Sequence, residues 1–375
     1  MRIGLVCKSV DPSRGGHERY VNRLINGLTN RGHQITVFAG DDSVPESLRT
    51  IGVEVVNVPR LPLGGAIRRW SFNLFAKSLV NEHRSDLDLV FTTGKVDFGD
   101  VHRSGGGVHQ VFLEECVSPV RRWLPKHLVA CRLERRLYES SSRPLVVNSY
   151  MVRDQILERF DTDPERVNVI YNGVDTDRYS WPALRSTRAE TREKHGLRPD
   201  DFVCLFTGGS WKRKGLPHLL DALARVDRPD VKLVTAGHTD ERKLRNKVRD
   251  LDLTDRVEHV GYTEQLELYY VAADALVFPS RYDAAANVVL EALASGLPVV
   301  STRTNGSSEL IDEGENGYVV ERAEQVEKLA EAIRNLRSHP DQEELRKKAY
   351  ETGSKFTMKR HLDEMEQLLK ETSSS

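Results

Sequence analysis

No stretch of this 375-residue chain approaches the ~18 consecutive apolar residues that a bilayer span needs. Neither sign of charge prevails: 55 lysines and arginines stand against 56 aspartates and glutamates, which excludes a chain that is basic throughout and wraps nucleic acid. Cysteine is scarce. Cys7, Cys116, Cys131 and Cys204 form no CxxC pair and fit no zinc spacing, so buried free thiols in a reducing compartment are expected. Short internal repeats are absent, and so is low complexity apart from the Ser373–Ser375 tract. The opening MRIGLVCKSV has no small-residue cleavage site and reads as a first strand in a cytoplasmic protein, not as a signal peptide. With 39% hydrophobic residues the chain is too apolar for disorder, and at its length two cores are expected instead of one.

What is present is alternation. Short β-branched runs (RIGLVC 2–7, ITVFAG 35–40, VEVVNV 53–58, LDLVFTT 87–93, PLVVNS 144–149) are separated by amphipathic helical stretches. The series restarts after residue 200 with FVCLFTG 202–208, VKLVTAG 231–237, VEHVGY 257–262, ALVFPS 275–280 and PVVSTR 298–303. Strands alternating with helices predict parallel sheets covered on both faces, hence an α/β protein of two doubly wound domains in tandem. The pattern lapses into polar, irregular sequence between Tyr171 and about Arg198, where the boundary is placed. We take the first domain as 1–180, the second as 181–352, and 353–375 as a last helix packing back on the first.

Residues 1–175 hold 24 basic and 21 acidic side chains, and the remainder 31 and 35. The basic excess concentrates in 118–138, SPVRRWLPKHLVACRLERRLY, where Arg121, Arg122, Lys126, Arg132, Arg135 and Arg136 face Glu134 alone. Apolar residues interleave at near-helical spacing. Such a helix either lies on an anionic membrane surface or packs on the core with a solvated basic face.

Three loops look chemical. After the first run, Gly15 and Gly16 precede a helix whose Tyr20, Val21, Leu24, Ile25 and Leu28 face the sheet; glycines there either let phosphate approach free N–H groups or simply make a strand-to-helix turn. In the second half, FTGGSWKRKGLPHLLDAL places Gly208 and then Lys212, Arg213 and Lys214 beside another helix start, which suits a phosphate or is a solvated cluster. In FPSRYDAAANVVLEALASGLPVV, Asp283 lies before a helix that starts near Asn287 and carries Glu291. A carboxylate can hold both ribose hydroxyls while the loop amides 284–288 take a diphosphate. The plain alternatives are an N-terminal cap for Asp283 and a surface ion pair for Glu291.

Together these pieces resemble family 4 retaining glycosyltransferases of the GT-B fold over nearly the whole chain. The pattern GGxExxVxxLxxxLxxRGHxxxV falls on Gly15, Gly16, Glu18, Val21, Leu24, Leu28, Arg31, Gly32, His33 and Val37. The stretch VIYNGVDTDRY (169–179), the turn Lys214–Gly215 and two carboxylates with seven residues between them match in order and spacing. Within the family, DVHRSGGGVHQVFLEE (100–115) and GSWKRKG (209–215) are similar to loops of the lipopolysaccharide core glycosyltransferases.

The resemblance implies two Rossmann-like domains with the active site in the cleft between them. It implies donor contacts at Gly15, Gly16, Gly208, Tyr262, Ala285, Ala286, Asn287, Val288 and Glu291, with Glu291 on the ribose and Tyr262 near the base. Lys214 and Arg213 are implied on the diphosphate, Asp283 near the donor sugar, and His109 or His102 on the acceptor side. The family usually has Glu at 283 and Phe-Gly at 285–286, and its arginine before the lysine falls on Gly209. The implied reaction moves a sugar from a UDP-linked donor to a glycan or glycolipid hydroxyl with retention, needing no metal or other cofactor. The leaving diphosphate would help deprotonate the acceptor. A non-catalytic nucleotide-binding module and, with less in its favour, a UDP-sugar 2-epimerase are the rival readings.

Overall fold

The computed structural model of the chain describes residues 1–40, 45–139 and 142–374; Ser375 of the serine tract lies outside the described residues. The chain forms two compact units: Met1–Tyr171 joined by the segment from Lys359 onward, and Asn172–Met358. The division therefore falls at 171, not 180, so NGVDTDRY belongs to the second unit. No helix among the described residues is long and apolar enough to cross a membrane.

The first unit holds seven parallel strands: β1 (Arg2–Cys7), β2 (Gln34–Ala39), β3 (Glu54–Asn57), β4 (Leu89–Thr93), β5 (Val101–Arg103), β6 (Leu145–Val147) and β7 (Val167–Val169), in the order β3-β2-β1-β4-β5-β6-β7. A parallel strand covered on both faces has no solvent side, which is why β1 reads as an unbroken apolar run, buried from Ile3 to Cys7. Helix Gly16–Asn30 buries Tyr20, Val21, Leu24, Ile25 and Leu28, and ends before Gly32, which takes the left-handed conformation. Helix Met358–Ser373 packs beside it. Gly27 makes the room: a Cβ there would lie 2.4 Å from Leu362 Cδ1. Arg31 pairs with Asp363 at 2.7 Å and Glu366 at 2.8 Å. His361 completes the seam. Its Nδ1 donates to the Tyr171 carbonyl (2.7 Å), leaving Nε2 to accept from the Tyr20 hydroxyl (3.1 Å).

In the second unit six parallel strands follow: β8 (Phe202–Thr207), β9 (Val231–Ala236), β10 (Val257–Gly261), β11 (Ala275–Phe278), β12 (Val299–Thr302) and β13 (Gly317–Val320), ordered β10-β9-β8-β11-β12-β13. All of β8 and β11 is buried. One aspartate anchors the opposite end of this sheet. Asp274, just before β11, accepts from Arg188 (2.5 Å), Arg192 (3.2 Å), Arg346 (3.0 Å) and the Val203 amide (2.7 Å). Burial would raise its pKa, but the three guanidiniums hold it below the usual carboxylate range.

Two expectations need correction here. The segment 118–138 is not one helix: a short turn of helix, Pro119–Arg122, is separated by Trp123 and Leu124 from the helix Pro125–Glu139. Proline at 125 lacks an N–H and fits only a helix start, so it divides the two. The cysteines are all free, but only Cys7 and Cys204 are buried; Cys116 and Cys131 are partly exposed.

Candidate active site

Apart from the NGVD stretch, what the sequence reading singled out in the second unit lies on loops leaving the carboxyl ends of parallel strands or on the first turns of the helices that follow them, where doubly wound sheets bind ligands. The loop after β8 begins at Gly208 and ends at Gly215, which caps helix Leu216–Arg225 with φ +79. A Cβ on Gly215 would sit 1.8 Å from the Pro279 carbonyl oxygen. Gly215→Ala is therefore expected to lose at least ~1–2 kcal/mol from the backbone alone, and more from the clash. Urea unfolding of the variant checks this; wild-type stability would show that the loop can be remodelled.

Lys214 and Arg213, held by this turn, converge on Asp283 in the loop after β11. Arg213 Nη1 lies 3.1 Å from Asp283 Oδ2 and also donates to the Tyr282 carbonyl (3.3 Å), while Lys214 Nζ donates to the same carboxylate oxygen. The ammonium also lies 4.7 Å from the centre of the Phe278 ring. Burial alone would raise the Asp283 pKa, but the Lys214 and Arg213 charges hold it below the ordinary carboxylate range. Burial lowers Lys214, and Asp283 opposes that shift. Asp283 is thus the counter-ion of both cations. It is not the N-terminal cap of the following helix, a position occupied by Ala286.

Helix Asn287–Ala294 starts with N–H groups at Asn287 and Val288 that have no partner within the helix. Ala285 and Ala286 are buried. The Ala286 amide is already engaged: it donates to Asn305 Oδ1 (3.2 Å), so the expectation that it holds phosphate does not describe this arrangement. Asn305 also accepts from the Ser307 amide (3.2 Å) and donates to Ser301 Oγ (3.0 Å). Thr304 Oγ1 donates to the Ser280 carbonyl (2.8 Å). The loop after β12 thereby fixes the loop that carries Asp283. Asn172, from the NGVD stretch, donates to Asn287 Oδ1 (2.7 Å). Glu291, one turn into the helix, accepts from the Tyr270 hydroxyl (3.0 Å). Tyr262, 56% exposed, follows β10 and stacks on His238 after β9, with centroids 4.8 Å apart and planes at 9°. Gly209 leaves space for that histidine, since a Cβ there would approach the His238 carbonyl oxygen to 2.9 Å. Asn305, Tyr270 and His238 were missed in the sequence.

In the first unit Gly15 caps helix Gly16–Asn30 without a side-chain hydrogen bond. The surroundings of that helix start are cationic: burial, then Arg103 and Lys8, lower the pKa of His17 to about 4. Arg103 lies over the Tyr20 ring, 3.5 Å from its centre. His102, expected near the acceptor, is instead in the core, fully buried and 2.8 Å from Thr92 Oγ1. His109 begins helix His109–Cys116. Its amide donates to Glu134 (2.7 Å), a buried carboxylate that also accepts from Lys95 Nζ (2.6 Å). Its Nε2 meets His127 Nδ1 at 3.0 Å. Burial, with Lys95 and Arg69 nearby, lowers the His109 pKa to about 3, so the ring is neutral. Glu134 thus serves as an anion at a helix start, and His109 belongs to that structural network.

Two family models match the chain: Glycosyltransferase Family 4 over residues 14–178, and Glycosyl transferases group 1 over residues 187–356. A probable transglycosylase of Burkholderia thailandensis is 31% identical over 83% of this chain and 80% of its own length. The lipopolysaccharide glucosyltransferase WaaG of Escherichia coli is 23% identical over 85% of each chain. The crystal structure of WaaG matches with a TM-score of 0.85 at 21% identity, over 98% of this chain and 99% of that one. Anabaena Alr3699/HepE in complex with UDP matches with a TM-score of 0.77 at 19% identity, over 99% and 100% of the two chains. On the family models, the Burkholderia relative and the shared architecture of two parallel-sheet units, the chain belongs to the family 4 glycosyltransferases of the GT-B fold.

Proposed function

We propose that this glycosyltransferase moves a sugar from a UDP-linked donor to a hydroxyl of a glycan or glycolipid, with retention at the anomeric carbon. The observation that carries the reading is the convergence of Lys214 and Arg213 on Asp283, beside the open helix start at Asn287. Two cations and a helix N-terminus make a diphosphate site once the internal carboxylate gives way. HepE, a neighbour in fold, has been solved with UDP and with UDP-glucose, and WaaG bears a lipopolysaccharide glucosyltransferase name. Both names support a nucleotide-sugar donor and a surface glycan acceptor here.

In this reading Lys214 and Arg213 exchange Asp283 for the β-phosphate, and the released carboxylate turns to the donor sugar. The bond between the anomeric carbon and the β-phosphate oxygen breaks with its electron pair going to the phosphate. The acceptor oxygen joins the same face, and its proton passes to the departing phosphate. Charge therefore grows on the diphosphate, where the two cations and the helix dipole stabilise it. They supply the positive charge, so we propose no metal in the step. The Tyr262–His238 stack receives the base. A lipid-borne acceptor would bring the enzyme to a membrane, and the basic segment 118–138 is the part of the chain suited to an anionic surface.

The test is a panel of UDP- and GDP-sugars incubated with the protein. Slow donor hydrolysis confined to a UDP-sugar supports the proposal; binding without any turnover, with acceptors supplied, overturns it. Glu291→Gln is expected to weaken binding of free UDP by ~1.5–3 kcal/mol, through loss of charged hydrogen bonds to the ribose, with little change in kcat. Isothermal titration beside steady-state rates checks both parts. Loss confined to kcat would take Glu291 off the ribose.

A further inference from the structure

The stretch NGVDTDRY (172–179) opens the second unit, and its two ends reach the same helix. At one end Asn172, buried, donates to Oδ1 of Asn287, the first residue of helix Asn287–Ala294, at 2.7 Å. At the other end Tyr179, also buried, reaches Glu291 of that helix through one intermediary, Tyr270. The Tyr179 and Tyr270 rings meet edge to face, with centres 5.7 Å apart and planes at 76°. The Tyr270 hydroxyl donates to Glu291 Oε2 at 3.0 Å.

Tyr270 belongs to helix Leu266–Ala272 and is fully buried. A phenol enclosed on all sides has its two torsions set by packing, so its hydroxyl is a fixed point. Glu291 is different: it is half-buried, with three torsions of its own. That freedom is lost whenever a carboxylate takes hold of a ligand. A hydrogen bond from an immobile donor removes it before the ligand arrives.

The kind of donor matters. A tyrosine hydroxyl is neutral and gives one proton, so Glu291 keeps its charge and most of its lone pairs. An arginine would engage both oxygens at once. One is near enough to feel the charge of Glu291: Arg178, the residue before Tyr179. It is held elsewhere. Its Nε and Nη2 donate to Glu267 Oε2 at 2.9 and 2.8 Å, and Nη2 also donates to the Glu264 carbonyl. Glu267 lies three residues before Tyr270 on the same helix, so one helix presents the neutral donor to Glu291 and keeps the cation off it. A carboxylate fixed in this way matches two adjacent hydroxyl donors, such as the 2′ and 3′ hydroxyls of a ribose. A site built for both rejects a ligand that lacks one.

We propose that Tyr270 is the positioning residue for the nucleoside: it locks the Glu291 carboxylate in the orientation that accepts both ribose hydroxyls, and Tyr179 at the end of NGVDTDRY backs it. The site thereby selects ribonucleotides over 2′-deoxyribonucleotides. This rests on the assignment of Glu291 to the donor ribose and deepens it.

The test is isothermal titration of UDP and of 2′-deoxy-UDP into wild type, Tyr270→Phe, Glu291→Gln and the double variant. Wild type is expected to bind UDP about tenfold or more tightly than 2′-deoxy-UDP. Tyr270→Phe keeps the ring against Tyr179 and removes only the oxygen. It should weaken UDP by about threefold to tenfold and 2′-deoxy-UDP by less, so that the preference for ribose falls. In the Glu291→Gln background the same change should cost less than about twofold, because the two side chains act through one contact. Tyr269→Phe is the control. Its hydroxyl, next along the same helix, lies 3.0 Å from His195 Nε2, and its loss should leave the preference untouched. A tyrosine that only held the fold would shift both ligands alike, and urea unfolding reads stability separately. Tyr270→Phe that weakens UDP and 2′-deoxy-UDP equally, or that adds in full to Glu291→Gln, overturns the positioning role and leaves Glu291 on the ribose. Glu291→Gln that keeps the wild-type preference takes Glu291 off the ribose and the proposal with it. Wild type that binds no UDP overturns the donor reading itself. If Tyr270→Phe does not fold, Glu291→Asp asks the same question from the other side. It keeps the charge but draws it back from the fixed hydroxyl, and an undiminished preference for ribose in that variant overturns the proposal.

Discussion

Replacing Lys214 by alanine is expected to lower kcat by something like 10²–10³, about 2.7–4 kcal/mol, the usual loss when one preorganised stabiliser of developing charge is removed. The fold should persist, because Asp283 keeps Arg213 at 3.1 Å as counter-ion. Binding of UDP should weaken too, since free UDP carries the same diphosphate. The discriminating quantity is the comparison with Glu291→Gln. A group that meets the ribose equally in ground and transition states changes affinity, whereas one that meets growing charge changes turnover. Lys214→Ala must therefore lose far more in kcat than Glu291→Gln does. Steady-state rates and UDP titrations on the two variants decide it. A Lys214→Ala enzyme with near-normal kcat would transfer the role to Arg213, which reaches the same carboxylate oxygen.

The first unit should lose stability steeply in mild acid. Burial is the leading cause that lowers His102, His109 and His361 to about 3 and His17 to about 4, and nearby arginines and lysines add to it. In the unfolded chain each returns to about 6.5, so below that pH the unfolded state binds more protons than the folded one. The stabilisation is complete above pH 6.5 and drains away as pH falls toward the folded values. At pH 5 each histidine costs up to about 2 kcal/mol, and four of them together rival the 5–15 kcal/mol that ordinarily holds a domain folded. Urea unfolding at pH 7, 6 and 5 should show midpoints falling sharply. Midpoints unchanged across that range would mean that these rings are already protonated in the fold.

The ten strands read from sequence lie in continuous apolar runs, and their tandem series sufficed for the α/β class. β5 and β7 were passed over because each is three residues long with a polar residue at its centre, and β13 because it is four residues led by glycine. β5 also carries His102 and Arg103 into the core, where His102 Nδ1 meets Thr92 Oγ1 and Arg103 lies over the Tyr20 ring, and no apolar pattern announces that. In the site, Asp283, Glu291 and the turn at Gly215 were legible because each is defined by local spacing. The pairing of Asp283 with Lys214 spans 69 positions, and Asn305 reaches back 19 to Ala286. Such contacts depend on which strands become neighbours. Glu134 shows the same limit: in sequence it is one acid among six bases, and in the fold it is the buried anion that starts a helix.

The first unit is made from both ends of the chain, with Leu362 seated at Gly27 and Arg31 gripping Asp363 and Glu366. Synthesis on the ribosome delivers these partners more than three hundred residues apart. Met1–Tyr171 leaves the ribosome early yet must wait for its last helix, while Asn172–Met358 has all of its own sequence before that helix is made. The usual order of domain folding during translation, N-terminal first, is therefore inverted at the final step: the second unit can finish folding while the first still exposes the seam around Gly27.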